Sequence, residues 1–70
     1  MIRHPVSSSN IQSIGYDQLN MVLEVAFHSG GIYQYMRIPS MVYQNLMQSG
    51  SKGEYFHRHI KDRYRWRKMR

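Results

Sequence analysis

Residues 19–27, LNMVLEVAF, restrict the fold of this chain more than any other stretch of its sequence. Large apolar side chains stand at every second position, namely at Leu19, Met21, Leu23, Val25 and Phe27. Successive side chains of a β-strand point to opposite faces of a sheet, so a period of two predicts a strand with one buried row. The other row, which includes Asn20 and Glu24, is expected to face solvent. Leu23 should therefore lie near the middle of the buried face.

The segments on either side of this strand predict two more strands. Residues 10–16, NIQSIGY, place Ile14 and Tyr16 on one side, and residues 32–38, IYQYMRI, form a run that ends at a proline. The connections YDQLN and HSGG are typical of turns, because their residues tolerate tight backbone geometry and glycine readily adopts a positive φ. Three consecutive strands joined by tight turns predict an antiparallel meander.

A short helix is expected directly after the meander. Pro39 ends the sheet and suits the first turn of a helix over residues 40–48, SMVYQNLMQ, and Gly50 terminates it. One face of this helix would carry the apolar stripe formed by Val42, Tyr43, Leu46 and Met47.

A second helix is expected to begin at the sequence SKGE. Ser51 and Glu54 have the spacing of a capping box, in which each side chain bonds the backbone near the other. Phe56 and Ile60 lie one turn apart and would face the sheet. Glu54 is also placed to pair with Arg58 at the i, i+4 spacing.

The second helix is expected to end near Asp62. Its continuation would bring Arg63 and Arg67 round to the side of Phe56 and aim two guanidinium groups at the core. The sequence RYRWR alternates instead between arginine and an aromatic ring, which predicts an extended arm with one basic edge and one aromatic edge. The sequence thus predicts one α+β domain over residues 1–62, a three-stranded antiparallel β-meander packed with two short helices, followed by a basic aromatic arm over residues 63–70.

Length and composition restrict the class of protein. A chain of 70 residues forms one domain with a thin core. The absence of cysteine excludes a disulfide framework and a cysteine-based zinc site. The N-terminus lacks the apolar stretch of a signal peptide, and no apolar run is long enough to span a membrane. We therefore expect a cytoplasmic protein.

The positive charge is concentrated at one end of the chain. Residues 52–70 contain eight of the ten Lys and Arg residues and two of the four acidic residues, so they carry the whole net charge of +6. Such a cluster is either the solvated face of a helix or a local potential that attracts polyanions. The rings of Tyr64 and Trp66 between the arginines favour the second interpretation, because they supply stacking surfaces as well as charge.

Three stretches of the sequence resemble the KTSC domain. They are VSSSNIQSIGYD near the start, FHSGGIYQYMRIP in the middle and SKGEYFHRHIKDRY near the end, and the resemblance extends from Val6 to Trp66. This small family is found at the C-terminus of some lysyl-tRNA synthetases and as free-standing bacterial proteins. Family members often carry proline before the last aromatic residue, where this chain has Arg65. The resemblance implies a role in RNA binding.

The leading hypothesis is therefore non-catalytic binding of RNA, with tRNA among the candidates. The residues expected to meet phosphates are Arg58, Lys61, Arg63, Arg65, Arg67 and Lys68. Trp66, together with Tyr33 and Tyr35, is expected to offer stacking surfaces. The alternative hypothesis is a protein-interaction adaptor whose basic end docks an acidic protein partner.

The face occupied by Tyr33 and Tyr35 depends on the loop before them. A connection with an even number of residues would pair Val25 and Phe27 with the other row of the third strand, leaving the tyrosines outside. A three-residue loop would instead place the tyrosines on the core face with Phe27. The sequence leaves both registers open.

Other classes of function lack their residues. His57 and His59 are two residues apart on a helix and point in nearly opposite directions, so they cannot share a metal ion. The four carboxylates have no paired spacing for acid–base catalysis, and no Gly-rich phosphate loop is present. Arginines interrupt any membrane-binding apolar stripe in the tail. We predict no enzyme activity, no metal or other cofactor, no small-molecule substrate and no membrane partner.

Overall fold

The computed structural model describes all residues from Met1 to Arg70 and contains a five-stranded antiparallel sheet with two helices. The strands are β1 (His4–Pro5), β2 (Ile11–Asp17), β3 (Val22–Phe27), β4 (Ile32–Tyr35) and β5 (Trp66–Lys68), and the helices α1 (Ser40–Gln48) and α2 (Lys52–His59) lie between β4 and β5 in the chain. Strand order in the sheet follows chain order.

The predicted α+β class is confirmed, and the predicted number of strands is wrong. Strands β2, β3 and β4 form the expected meander, and β1 and β5 extend it at its two edges. Strand β1 is only two residues long and ends in proline, and β5 lies within a run of arginines. Neither has the apolar alternation that identifies a strand, because each pairs with one neighbour only and is exposed. Residues 66–68 of the predicted arm thus belong to the same sheet as the rest of the domain.

Both helices cover one face of the sheet, and the core lies between them and that face. Leu23 and Val25 of β3 are fully buried there, as the alternation predicts. Leu46 of α1, Phe56 of α2 and Ile60 pack against them from the helical layer. Neither helix has the length and apolar character needed to cross a membrane.

The apolar row of β3 ends earlier than predicted. Leu19 is 91% exposed and Met21 is 42% exposed, so their prediction as core residues is wrong. Met21 has a φ of 56°, and this left-handed conformation turns the chain before β3 begins at Val22. Arg37 also has a left-handed conformation, with a φ of 57°, and turns the chain two residues after β4 ends at Tyr35.

The loop between β3 and β4 determines the face of the two tyrosines. The Phe27 N–H donates to the Gly31 carbonyl at 2.9 Å, so these two residues pair beyond the strand ends and leave the three residues 28–30 in the turn, with Gly30 at a φ of 107°. Val25 therefore pairs with Tyr33, and Leu23 pairs with Tyr35. Both tyrosines lie on the helix-covered face.

Helix α2 follows the predicted pattern in part. Ser51 is its N-cap residue, but its side chain makes no capping hydrogen bond, so the predicted capping box does not form. The expected ion pair between Glu54 and Arg58 is present at 3.2 Å. The helix ends at His59, slightly before the predicted end, and a turn leads the chain to β5.

The other face of the sheet, which we call the open face, carries a row of polar side chains across the strands. Arg3 donates to one oxygen of Glu24 at 2.6 Å, and Gln34 donates to the other oxygen at 2.8 Å. Arg67 in turn donates to the Gln34 amide oxygen through Nε at 3.2 Å and through a terminal nitrogen at 3.0 Å. Glu24 was expected to face solvent freely; its side chain is only 12% exposed.

Gly15 makes this row possible. It lies between β1 and β3 in the sheet, directly beneath the Arg3 side chain that reaches Glu24. A Cβ atom at residue 15 would lie 2.7 Å from the Ile2 carbonyl oxygen and 3.2 Å from Cγ of Arg3. Any other residue would therefore displace the N-terminal strand from the sheet.

Candidate nucleic-acid interface

A cleft of about 380 Å³ opens between α2 and the β5 edge of the sheet, on the helix-covered face. Its aromatic lining comes from Phe27, Tyr33, Tyr35, Phe56 and Trp66. Its polar lining comes from Asn10, Ser29, His57, Lys61 and Asp62. Apolar walls with a few polar groups are typical of sites that bind small aromatic ligands or parts of larger molecules.

The aromatic rings of the cleft hold one another in edge-to-face contacts. The ring centroids of Tyr33 and Trp66 are 5.4 Å apart, and those of Tyr35 and Phe56 are 5.2 Å apart. Such pairs stabilise a fixed arrangement beyond the area that they bury. Trp66 remains 52% exposed at the mouth of the cleft, so one ring is both positioned and accessible.

Tyr35 lines the cleft from its buried side. Burial raises the pKa of Tyr35 to about 12, and the nearby Tyr33 and Asp62 add to the rise. The phenol therefore stays protonated at neutral pH, and because Tyr35 is only 4% exposed, it offers little of the stacking surface that was predicted for it.

One lysine lines the cleft and a second lies beside it. Lys61 lines the cleft from the turn after α2. Lys68 lies on β5, and its Nζ is 6.0 Å from the centroid of the Tyr33 ring on β4. An ammonium group at this distance is attracted to the face of the ring. The cleft thus combines stacking surface with positive charge at its border.

Three arginines surround a second depression, which we call the arginine depression. Arg37, Arg63 and Arg65 line it together with Met36 and Tyr64, and its volume is about 610 Å³. The Met36 N–H donates to the Arg65 carbonyl at 2.8 Å, which brings the end of β4 against the segment before β5. No acidic residue lines this depression, so it presents only positive charge.

Two of the predicted phosphate-binding residues already have partners within the domain. Arg58 is in the ion pair with Glu54, and Arg67 donates to Gln34 on the open face. The predicted residues therefore divide into three groups. Tyr33, Tyr35, Lys61 and Trp66 line the cleft, with Lys68 beside it over the Tyr33 ring; Arg63 and Arg65 lie at the arginine depression, and Arg58 and Arg67 lie outside both.

Several residues of this surface were not predicted from the sequence. Arg37 stands far from the basic cluster in the sequence and reaches it only through the pairing of β4 with β5. Asn10, His57 and Asp62 enter the cleft from three separate segments. No spacing rule connects such residues. Groups of three or more His, Cys, Asp or Glu side chains able to hold a metal ion do not occur in the structure.

The fold and these surfaces define a small α+β domain with an aromatic cleft and a basic border. The family model of the KTSC domain matches residues 7–64. The chain therefore belongs to the KTSC domain family.

Similar proteins include both free-standing domains and parts of longer chains. A crystal structure of a KTSC domain protein from Yersinia pestis superimposes with a TM-score of 0.96 at 46% identity, covering 99% of this chain and 97% of that one. An uncharacterized protein from Stutzerimonas stutzeri is 41% identical over 64 residues, covering 91% of this chain and 90% of that protein. A lysine–tRNA ligase from a Nostoc species is 34% identical over 61 residues, which are 87% of this chain and 11% of the ligase.

Proposed function

We propose that this domain is a non-catalytic binder of single-stranded RNA, with tRNA among the candidate ligands. A base would enter the aromatic cleft and stack on Trp66, and the neighbouring phosphates would meet the cations around it. The observation that carries the proposal is the half-exposed Trp66 ring at the mouth of the cleft, fixed against Tyr33 and bordered by Lys61 and Lys68.

The unpaired positive charge supports this function. Only Arg3 and Arg58 are in ion pairs, so the other Lys and Arg side chains retain charge for a partner. Arg63 and Arg65 form a continuous basic path with Arg37 beside β5. A polyanion in contact with both the cleft and the arginine depression would release counterions from several phosphates.

The occurrence of a similar sequence in lysine–tRNA ligases supports tRNA as a ligand. The ligase from a Nostoc species acts on tRNA by name, and the matched segment is a small part of it. A basic segment beside such an enzyme would add phosphate contacts to a substrate that is already held nearby.

The alternative is an adaptor that docks an acidic protein. The same cations would attract acidic side chains, and this interaction would also weaken with salt. It would not require a ring positioned for stacking. The dependence of binding on Trp66 therefore separates the two functions.

The experiment is a fluorescence-anisotropy titration with labelled single-stranded RNA at several salt concentrations, comparing the wild type with two sets of variants. Trp66→Ala should weaken binding by about 1–3 kcal/mol and leave the salt dependence nearly unchanged, because base stacking carries no net charge. The double variant Arg63→Ala, Arg65→Ala should lower the slope of log affinity against log salt by about 1.4, which is about 0.7 for each lost phosphate contact.

Two matched controls accompany these variants. Trp66→Phe keeps an aromatic ring against Tyr33 and should retain most of the affinity for RNA. Leu19→Ala changes an exposed residue that lines neither the cleft nor the arginine depression and should have no effect. Thermal unfolding of each variant shows whether the fold is retained. Absence of RNA binding at moderate salt would refute the proposal, and binding of an acidic protein that ignores Trp66 would favour the adaptor.

A further inference from the structure

Asp62 is the one acidic side chain of this chain without a hydrogen-bond or ion-pair partner. The other three are engaged in hydrogen bonds or ion pairs within the domain, as follows: Asp17 with Asn20, Glu24 with Arg3 and Gln34, and Glu54 with Arg58. No hydrogen bond or ion pair of the structure involves the Asp62 side chain, which is exposed and lines the aromatic cleft.

The position of this carboxylate is unexpected for a surface that only holds a phosphate backbone. A negative charge at the cleft repels phosphates, and it lies in a domain with a net charge of +6 that otherwise attracts them. A carboxylate oxygen accepts hydrogen bonds from N–H groups, and two parallel N–H donors can bind its two oxygens at once. Asp62 is therefore suited to the base of a nucleotide and unsuited to its phosphate.

Lys61 adds the complementary group. It precedes Asp62 in the turn after α2 and lines the same cleft, so a donor and two acceptors stand side by side at the wall of an aromatic site. The Watson–Crick edge of guanine has the matching order, with the O6 acceptor followed by the N1–H and N2–H donors. Adenine, cytosine and uracil each offer a single N–H donor group on that edge.

We infer that the cleft selects guanine in single-stranded RNA, with Asp62 accepting from N1–H and N2–H, Lys61 donating to O6, and Trp66 stacking on the base. The inference rests on the proposed function and adds a base preference to it. The lysines at the cleft disfavour a cationic ligand, which would otherwise suit a carboxylate among aromatic rings. The same charges favour a base that belongs to a polyanion.

The test uses short oligouridine RNAs that carry one central guanosine, adenosine or cytidine, measured by fluorescence anisotropy with the wild-type protein. The guanosine oligomer should bind about 5- to 100-fold more tightly than the others, the range expected for one good bidentate contact to a base. Replacing guanosine by inosine removes the N2 amino group and keeps N1–H and O6. The affinity should then fall to an intermediate value.

The variant Asp62→Asn gives the sharpest outcome, because the two explanations of Asp62 predict opposite signs. If Asp62 binds guanine, this variant should lose at least about 5-fold in affinity for the guanosine oligomer and bind oligouridine as well as the wild type or slightly more tightly. If Asp62 is only a repelling charge, the variant should bind every oligomer more tightly. Because Asp62 has no partner, the substitution should leave the thermal stability unchanged.

Glu54→Gln is the matched control. It removes one negative charge from α2, outside the cleft, and should slightly strengthen binding of all oligomers equally. Equal affinity for the guanosine, adenosine and cytidine oligomers and for oligouridine, or tighter binding of every oligomer by Asp62→Asn, would overturn the guanine inference and leave RNA binding in place. Absence of binding to every oligomer would overturn both.

Discussion

The two faces of the sheet are held by different forces. The helix-covered face is apolar, and Leu23 and Val25 make no contact with solvent. The open face is held by the polar row in which Glu24 joins Arg3 on one side and Gln34 on the other. Neighbouring residues of β3 thus stabilise the sheet in two ways. Leu23 and Val25 do so by apolar packing, and Glu24 does so by hydrogen bonds to specific partners.

This difference shows how β1 and β5 remain attached to the sheet. Each pairs with a single neighbour, and neither has a buried side chain. The polar row connects residues next to or within both of them, because it begins at Arg3 and ends at Arg67. The open face therefore stabilises the edges, and the covered face stabilises the meander.

The largest expected effect is on the covered face. Leu23→Ala should lower the free energy of unfolding by about 2–5 kcal/mol, because it removes a fully buried side chain and leaves a cavity. Urea denaturation measures this value. Since the contribution depends on packing, it should be the same at low and high salt; a loss that disappears in high salt would contradict the assignment of this face.

An intermediate effect is expected on the open face. Glu24→Thr removes the acceptor shared by Arg3 and Gln34, and it should lower the free energy of unfolding by about 1–3 kcal/mol. From the sequence alone Glu24 was expected to face solvent, and a substitution at such a position is nearly neutral. Urea denaturation of the variant decides between the two expectations, and a change near zero would show that the polar row contributes nothing net.

The contribution of Glu24 should also depend on pH. Burial would raise the pKa of Glu24, but hydrogen bonds from Gln34 and Arg3 and the charge of Arg3 outweigh it and hold the pKa below its ordinary value. A group with a lowered folded-state pKa stabilises the fold above its unfolded-state pKa, and that stability is lost as pH falls through the folded-state value. The stability difference between wild type and Glu24→Gln should therefore be largest near neutral pH and shrink below about pH 4. A difference that stays constant into acid would indicate a purely steric role.

The smallest effect is expected at the exposed end of the row. Arg67→Ala removes two hydrogen bonds to Gln34 at the surface and should lower the free energy of unfolding by less than about 1 kcal/mol. The same urea measurement applies. A loss as large as that of Glu24→Thr would mean that the polar row acts as one cooperative unit.

The fold was predictable where the pattern is local. The alternation in β3 predicts Leu23 and Val25 correctly, because burial on one face of a strand imposes a period of two. It fails at Leu19 and Met21, because both lie in the turn before β3, where Met21 is left-handed and its carbonyl accepts from the Ile38 N–H at 2.8 Å. Such a contact between distant residues leaves no periodic signal.

The candidate site was predictable in its residue types and less so in its geometry. Trp66 and the surrounding cations stand out in the sequence because rings and charges alternate there. The face on which Tyr33 lies depends on the length of the loop before β4. The sequence is compatible with both loop lengths and therefore left that face undetermined. Arg37 and Asp62 could not be predicted as part of this surface, because the first reaches it through strand pairing and the second through the end of a helix.

The pairing of β5 with β4 has a further consequence for how the domain forms and how long it lasts. Residues 36–65 separate these two strands, whereas β1 to β4 follow one another through short connections. Closing a longer loop costs more chain entropy, and contacts between distant segments tend to form late. Trp66 supplies one wall of the cleft from β5, so the cleft should be the last part of the domain to assemble. A ligand bound there would stabilise contacts that are absent from the folding transition state, and it would prolong the lifetime of the folded domain without speeding its formation.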